Sequence, residues 1–361
     1  MIDDKDTSQL QPIILPLQQW FFEHARVLPW REDATPYRVW ISEIMLQQTR
    51  VEAVKPYFDR FIRSLPSVQA LANCQEDELL KLWEGLGYYN RARNLKVAAQ
   101  QIMDAYEGEL PSEYEELLKL KGIGHYTAGA IASIAYEKPV PAVDGNVLRV
   151  ISRLLNDDSD IMKQSVRTKM EERLRMLMQE NEGVLLPRVF NQALMELGAL
   201  ICIPNHEPHC MECPLQKLCL AHQKGRELEL PVKSKAKKRR LEKRTVLILR
   251  QDDKVVIRKR ENKGLLAGLY EFPNVEGWLS DKEIISYLRR EGYEPLRILP
   301  LPEAKHIFSH VEWQMIGYMV LLEEYSPKQE KNLFVEIEDI RKTYAVPAAF
   351  SKYTELVLGE K

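Results

Sequence analysis

The stretch LKLKGIGHYTAGAIASIAY, residues 118–136, decides how the helical part of this 361-residue chain is read. Two glycines, Gly122 and Gly124, separate a polar helical run from a second helix rich in small residues. Glycine lets the backbone adopt left-handed dihedrals and approach another group closely. The N–H groups exposed at such a turn, and at the start of the helix predicted from about Thr127, form a seat for an anion. On this reading Gly122, Gly124 and His125 hold one phosphate of a nucleic-acid backbone, with no base read. The plainer alternative is a helix–helix connection closed by a Gly C-cap.

Outward from this turn, apolar residues recur at three- and four-residue spacing from Leu15 to about His222, as in TPYRVWISEIMLQQT (35–49) and SVRTKMEERLRMLMQE (165–180). SEYEELLKL, TAGAIASIAY and GNVLRVISRLL continue the pattern, with Gly and Pro between them. From 226 to 243 charge and Pro dominate, which reads as a basic linker; its densest run is KSKAKKRRLEKR, 233–244. Beyond it, TVLILR and KVVIRKR flank QDD, a β-hairpin signature. The helical KEIISYLRREG and the strand-like WQMIGYMVLLEE and NLFVEIE complete an α+β domain. The expected organisation is residues 1–225 helical, 226–243 linking and 244–361 mixed.

Formal net charge is −2, with 51 Lys and Arg against 53 Asp and Glu, so any nucleic-acid contact rests on a local patch. No apolar run approaches bilayer-spanning length. The acidic, polar start MIDDKDTSQLQ lacks the features of a signal peptide. A cytoplasmic protein with no membrane partner is the expectation. Of five cysteines, Cys74 stands alone as a buried or neutral thiol. Cys202, Cys210, Cys213 and Cys219 follow one another with gaps of seven, two and five residues. Without an export signal, this cluster points to a metal site, zinc or iron–sulfur, rather than to disulfides.

Beyond Tyr126, PVPAVDGNVLRV places Asp144 at the start of another helix, as an N-cap. The hairpin, the Pro-rich stretch, VDGN and the cysteines after FNQALMELGALIC together resemble the helix-hairpin-helix superfamily of base-excision glycosylases, endonuclease III among them. ISEIMLQQTR, LPWR, GLGYYNRARNL and VDGNV narrow the resemblance to the MutY family, the adenine DNA glycosylases, and it covers nearly the whole chain. It implies a multi-domain fold: an all-α helix-hairpin-helix glycosylase domain with an iron–sulfur cluster loop at about 202–219, followed by an α+β Nudix-like domain. It also implies one 4Fe-4S cluster on Cys202, Cys210, Cys213 and Cys219. The family's usual first gap is six residues; here IPNHEPH makes seven, and the extra residue is expected to bulge outward.

An N-glycosidic bond breaks when the base leaves neutral and the sugar's developing cation is stabilised, work that two carboxyl groups of unlike pKa divide. Carried onto this sequence, the resemblance implies that Glu43 protonates adenine at N7 and helps activate water. Asp144 stabilises the oxocarbenium ion, electrostatically or through a transient covalent bond. Tyr126 and Asn146 assist by hydrogen bonding around the sugar and Asp144. Leu28, Trp30, Arg31 and Gln192 line the adenine pocket. Relatives that also cut the strand place a Schiff-base lysine where Tyr126 stands, so this chain is expected to release the base and stop. A duplex hides its bases, so the target is flipped out, with Tyr88 as wedge and Gln48 and Thr49 at the opposing helix end. Arg91 and Arg93 read either as phosphate contacts or as solvated charges, and of the two Arg91 is expected at a phosphate. The expected partner is double-stranded DNA carrying adenine opposite 8-oxoguanine or guanine. The enzyme is expected to be a monomer, nucleoid-associated if bacterial.

GLLAGLYEFP resembles the opening of a Nudix hydrolase box, whose chemistry needs carboxylates for magnesium. Aligned on Gly292, the paired glutamate positions hold Arg289 and Arg290 and the earlier one holds Ser286. The domain is therefore expected to recognise the lesion, with Phe308, Ser309 and His310 of HIFSHVEW as its reading loop. Competing readings are a pyrimidine-directed endonuclease III-like glycosylase, a non-catalytic iron–sulfur DNA-binding protein, and a Nudix hydrolase with a helical appendage. SEIMLQQT and the C-terminal domain argue against the first, and the missing carboxylates against the last.

Overall fold

The computed structural model describes residues 7–234, 238–323 and 332–359, so positions 235–237 of the basic run lie outside the described residues. The chain forms two compact units, Met1–Asn73 with Asn94–Lys235, and Cys74–Arg93 with Ala236–Lys361. This differs from the expected division in two ways. The segment Cys74–Arg93, read as part of the helical domain, belongs to the C-terminal unit. The expected linker also gives way early to a strand that begins at Arg240. That strand opens on exposed charged residues, which hid it inside a basic run.

The first unit is helical. Its site-bearing elements are α1 (Ile14–His24), α2 (Pro29–Glu32), α3 (Pro36–Leu46), α4 (His125–Tyr136), α5 (Gly145–Leu155) and α6 (Pro187–Leu200). Thr35 caps α3 by accepting from the Arg38 N–H at 3.4 Å, with Pro36 in the first turn. The helix was expected to reach Thr49 but ends at Leu46, because Gln48 turns left-handed (φ 61°). The first arm of the hairpin is a single turn, Tyr114–Leu117, and the second begins at His125 with Gly124 at its N-cap, two residues before the expected start. Gly122 is required where it stands. Its φ is +80°, and a Cβ there would lie 2.6 Å from the Asn94 Cβ.

Leu17, Val147, Ile151, Phe190, Leu194 and Leu197, from α1, α5 and α6, are fully buried in one core cluster. Each large apolar side chain so buried contributes roughly 1.5–3 kcal/mol. At the crossing of α5 and α6, a Cβ on Gly198 would stand 2.6 Å from the Asn146 Cβ. The small residue lets α6 lie against the first turn of α5, which carries Asp144 and Asn146.

The second unit holds a sheet of seven strands among the described residues: β1 (Arg240–Gln251), β2 (Lys254–Lys259), β3 (Tyr270–Glu271), β4 (Asn274–Glu276), β5 (Pro295–Ile307), β6 (Val311–Leu322) and β7 (Asn332–Glu336). The order is β3-β2-β1-β6-β5, with β4 on β1 and β7 on β2; β1 and β6 run parallel and the other pairs antiparallel. Alternation along β1 sends Val246 and Ile248 to the face covered by helix Ser351–Leu358, and Leu247 and Leu249 to the face covered by helix Asp281–Arg290. The expected hairpin is present, turning at Asp252 (φ 51°). Strand β5 was not expected, since Pro295, Pro300 and Pro302 interrupt it. It lies at the end of the sheet path, pairing only with β6, and the register shifts between Leu301 and Ala304. An edge strand tolerates prolines because their missing N–H is not needed by a second neighbour. Among the described residues no helix is long and apolar enough to cross a membrane.

Replacing Gly198 by Ala is expected to destabilise the protein by about 1–3 kcal/mol, because the added methyl meets backbone-proximal atoms that have little room to give. A lowered midpoint in calorimetric unfolding checks this.

Candidate active site

One cavity of about 580 Å³ lies within the first unit, in the range of small-molecule sites. Glu43 and Tyr126 meet in it, from α3 and α4, and Asp144 and Asn146 enter from the start of α5. Leu28, Trp30, Arg31 and Gln192 also line it, as do Gln48 and Thr49. Trp30 is buried edge-on against Phe58 at 5.4 Å, and the Gln192 amide donates to the Arg188 carbonyl at 3.2 Å. No lysine lines the cavity among the described residues.

Glu43 is buried on a largely apolar helix, flanked by Ile41 and Ile44. Burial pushes its carboxyl up to about 7; the Tyr126 hydroxyl, which donates to Oε2, and Arg31 oppose this, while the charge of Asp144 adds to it. Tyr126 was expected to hydrogen-bond around the sugar and Asp144; its hydroxyl donates to Glu43, with the Met195 Sδ at 3.7 Å and the Asp144 carboxylate nearby. Burial and the two nearby carboxylates raise the Tyr126 phenol well above its ordinary range, so it acts as a donor.

Asp144 is the N-cap of α5. It accepts from the N–H groups of Asn146 at 2.9 Å and Val147 at 2.8 Å, and from the Asn146 amide at 3.0 Å. Burial raises its pKa, against these three donors. Donors and the helix N-terminus favour the carboxylate. The Asn146 amide is oriented by Arg149, which donates to its Oδ1 at 2.8 Å and reaches the carbonyls of Gly198 at 2.7 Å and Cys202 at 2.8 Å. Arg149 went unnoticed in the sequence, where it reads as one more charge on an amphipathic helix.

Glu196 was also missed. It is 1 % exposed and receives Arg26 Nε at 2.7 Å, the Arg26 N–H at 3.0 Å and Arg31 Nη2 at 2.9 Å. Burial pushes Glu196 up, but the hydrogen bonds from Arg26 and Arg31 prevail and bring it to about 2. In the sequence, Glu196 of MELGAL reads as one more acid on a helix, and its partners Arg26 and Arg31 lie about 165–170 residues away.

At the hairpin, Gly124 has an ordinary extended backbone (φ −100°), no side chain caps the helix it opens, and a Cβ there would meet nothing within 4 Å. The helix start is thus open to an incoming group. His125 is exposed beside it, with Nδ1 2.7 Å from the Tyr114 hydroxyl. In the second unit, Tyr88 is 48 % exposed at left-handed φ 47°. Arg91, expected at a phosphate, instead braces its own loop: Nη2 donates to the carbonyls of Leu86 at 3.1 Å and Gly87 at 3.2 Å, and the guanidinium lies over Trp83 and Tyr88. Arg93 likewise donates to the Ala267 carbonyl at 2.6 Å and pairs with Glu76 at 2.8 Å.

Phe308, Ser309 and His310 form the turn between β5 and β6. Ser309 and His310 are exposed, while Phe308 packs edge-on against Trp313 at 5.0 Å. Glu271, the acid of GLYEFP, is buried and ion-paired with Arg258 at 2.7 Å and with Arg260. A carboxylate so held is a poor magnesium ligand.

The four clustered cysteines line one small pocket with Arg153, which donates to the Cys202 Sγ at 3.1 Å. Burial first, then neighbouring charges, pushes Cys210 up to about 11 and Cys213 up to about 12. Thiolates sharing such a pocket need a cation to offset them, so the donor set fits a metal centre. His222 and Glu227 adjoin Cys210 and pair with each other at 2.5 Å. The seven-residue gap is absorbed by an exposed bulge at 204–207, closed by the His209 N–H donating to the Ile201 carbonyl at 2.9 Å.

Residues 41–176 match the family described as HhH-GPD superfamily base excision DNA repair protein, and residues 244–356 match the NUDIX domain. The chain is 35% identical over 299 residues to the adenine DNA glycosylase of Buchnera aphidicola subsp. Schizaphis graminum (strain Sg), covering 78% of this chain and 84% of that protein. It is 33% identical over 384 residues to the adenine DNA glycosylase of Homo sapiens, covering 90% and 69%. A solved thermostable thymine-DNA glycosylase is similar with a TM-score of 0.54 at 28% identity, over 61% of this chain and 100% of that one.

The raised pKa of Glu43 has a stability consequence. The native state holds a proton there between the ordinary 4.5 and about 7 that the unfolded chain does not, so this contribution is full below the lower value and lost as pH rises through the upper. Glu43→Gln is therefore expected to be more stable than the parent at pH 8 by up to about 3 kcal/mol, and nearly equal to it at pH 4. Urea denaturation at the two pH values measures this.

Proposed function

The chain belongs to the family of adenine DNA glycosylases, and from that premise we propose that it excises adenine mispaired with 8-oxoguanine or guanine, by hydrolysis alone. The observation that carries this reading is the pair of carboxyls in one cavity, a buried one poised near neutrality and a half-buried one held at a helix N-terminus. Glu43, protonated, delivers its proton to adenine N7. The C1′–N9 bond then breaks with its electron pair passing to a neutral base. Asp144 faces the oxocarbenium ion, and water adds at C1′ while its proton passes to the Glu43 carboxylate. Tyr126 holds Glu43 in place and Asn146 holds Asp144.

Leu28, Trp30, Arg31 and Gln192 enclose the adenine, with Arg31 fixed by Glu196. A Schiff-base route needs an amine, and the position that supplies it in strand-cutting relatives holds Tyr126. Gly122, Gly124 and His125 seat one phosphate, Tyr88 wedges into the stack, and Gln48 and Thr49 lie at the mouth of the cavity. Ser309 and His310, with Phe308 released from Trp313, read the oxidised guanine. Cys202, Cys210, Cys213 and Cys219 would hold one 4Fe-4S cluster, which would cross-link the 202–219 loop. The enzyme works as a monomer, in the compartment that holds the chromosome.

Single-turnover assays on duplexes with different mispairs test this reading. Abasic product is expected, with strand breaks only after alkali. Glu43→Gln and Asp144→Asn are each expected to lower the rate by roughly 10²–10⁴. The parent rate should fall by about tenfold per pH unit above about 7, as Glu43 loses its proton. Scission without alkali, or unchanged rates in both variants, would contradict it.

For the C-terminal unit, Ser309→Ala with Phe308→Ala is expected to reduce the preference for adenine opposite 8-oxoguanine over adenine opposite guanine by about tenfold. Point changes are the right probe. A truncation after residue 233 would also strip Cys74–Arg93 of the unit it packs with.

A further inference from the structure

We infer that the C-terminal domain sets the shape of the Tyr88 loop by clamping both of its ends, and so acts in base extrusion as well as in reading the lesion. This rests on the reading of Tyr88 as the wedge. The loop, residues 85–89, joins helix Glu76–Leu82 to helix Asn90–Ala105. Its backbone is of a kind that does not hold itself: Gly85, Gly87 and Tyr88 are all left-handed, at φ 98°, 69° and 47°.

Before the loop, Lys81 Nζ donates to the carbonyls of Ile340 at 2.9 Å and Tyr344 at 3.0 Å, and pairs with Glu84 at 2.6 Å. Glu84 Oε1 in turn accepts the Val346 N–H at 2.8 Å. After the loop, Arg93 Nη2 donates to the Ala267 carbonyl at 2.6 Å. Gly268, left-handed at φ 64°, adjoins this seat, and a Cβ there would lie 2.7 Å from Arg93 Nη2. A further pair, Lys259 with Asp77 at 2.6 Å, ties the preceding helix to β2.

Within the loop, Trp83 Nε1 donates to the Gly87 carbonyl at 3.1 Å and Arg91 to the Leu86 and Gly87 carbonyls. These inner bonds hold their geometry only while residues 83 and 91 keep their spacing. Lys81 and Arg93, just outside them, and Glu84 between them take that spacing from residues 267 and 340–346. The carbonyls and the Val346 N–H of the C-terminal domain therefore position Tyr88, with no contact to DNA of their own required.

The test uses the full chain with Lys81→Ala/Arg93→Ala, Arg93→Lys and, as a reference, Tyr88→Ala. Three quantities are read: hydrogen exchange of the 85–89 amides without DNA, the stopped-flow rise of 2-aminopurine fluorescence opposite 8-oxoguanine, and excision of adenine from single-stranded DNA. For the double variant we expect loop exchange faster by at least about tenfold. Extrusion should be slowed about tenfold, towards the Tyr88→Ala rate, with single-strand excision within about twofold of the parent. Unchanged loop exchange overturns the proposal. So does unchanged extrusion in the double variant when Tyr88→Ala slows it. If Tyr88→Ala itself leaves extrusion unaltered, the wedge reading fails, and the clamp is then judged on loop exchange alone. Should the double variant not fold, Arg93→Lys, which keeps the charge and loses the fork, carries the same three readouts with the same criteria.

Discussion

The withdrawal of Glu43 from water, with a single phenolic hydroxyl as its partner, is the constraint on which the rest of this structure depends. A carboxyl in that state exchanges its proton near neutrality, which an exposed glutamate does not. Keeping it there relies on the apolar side chains that flank it on α3 and on α4 bringing Tyr126 across. The site's chemistry and the fold's cohesion thus pull against each other at one residue.

Three acids in one cavity, two buried and one half-buried, illustrate how environment divides labour. Glu43 has one neutral donor and rises to about 7. Glu196 has two guanidinium groups and falls to about 2. Asp144 has backbone and amide donors at a helix start, which favour its charged form without neutralising it. A charge paired with arginine cannot serve a cationic sugar well, because its field is already compensated. One backed only by dipoles can. That difference leaves the Asp144 carboxylate free to face a cation, while Glu196 is committed to Arg26 and Arg31.

The C-terminal unit shows the same economy. Glu271 is closed off by Arg258 and Arg260, and the positions that would hold metal carry Arg289, Arg290 and Ser286. What remains is a rigid sheet whose exposed turn at 308–310 and whose grip on residues 74–93 are its useful features. Asp77, Lys81, Glu84 and Arg93 make that grip through ion pairs and backbone carbonyls, groups that carry no sequence signature.

Much was legible from residue order alone. Helical spacing, the Gly-Ile-Gly turn, the cysteine gaps and the hairpin around QDD are local patterns, and local patterns follow from backbone sterics and alternation that neighbouring residues impose. Glu43 and Asp144 read locally as a helix glutamate and an N-cap, and only the resemblance of the motifs around them, SEIMLQQT and VDGNV, gave them catalytic roles. Strand β5 escaped because its prolines are tolerated only at a sheet edge, and an edge is a property of the sheet. Glu196, Arg149 and the Tyr126–Glu43 bond escaped because their roles come from partners far away in the chain. The membership of residues 74–93 in the C-terminal unit has the same origin. By itself the sequence determined which elements form and which side chains can do chemistry; the tertiary structure alone decided which acid keeps its proton, since a pKa is set by burial and by the donors that folding brings within 3 Å.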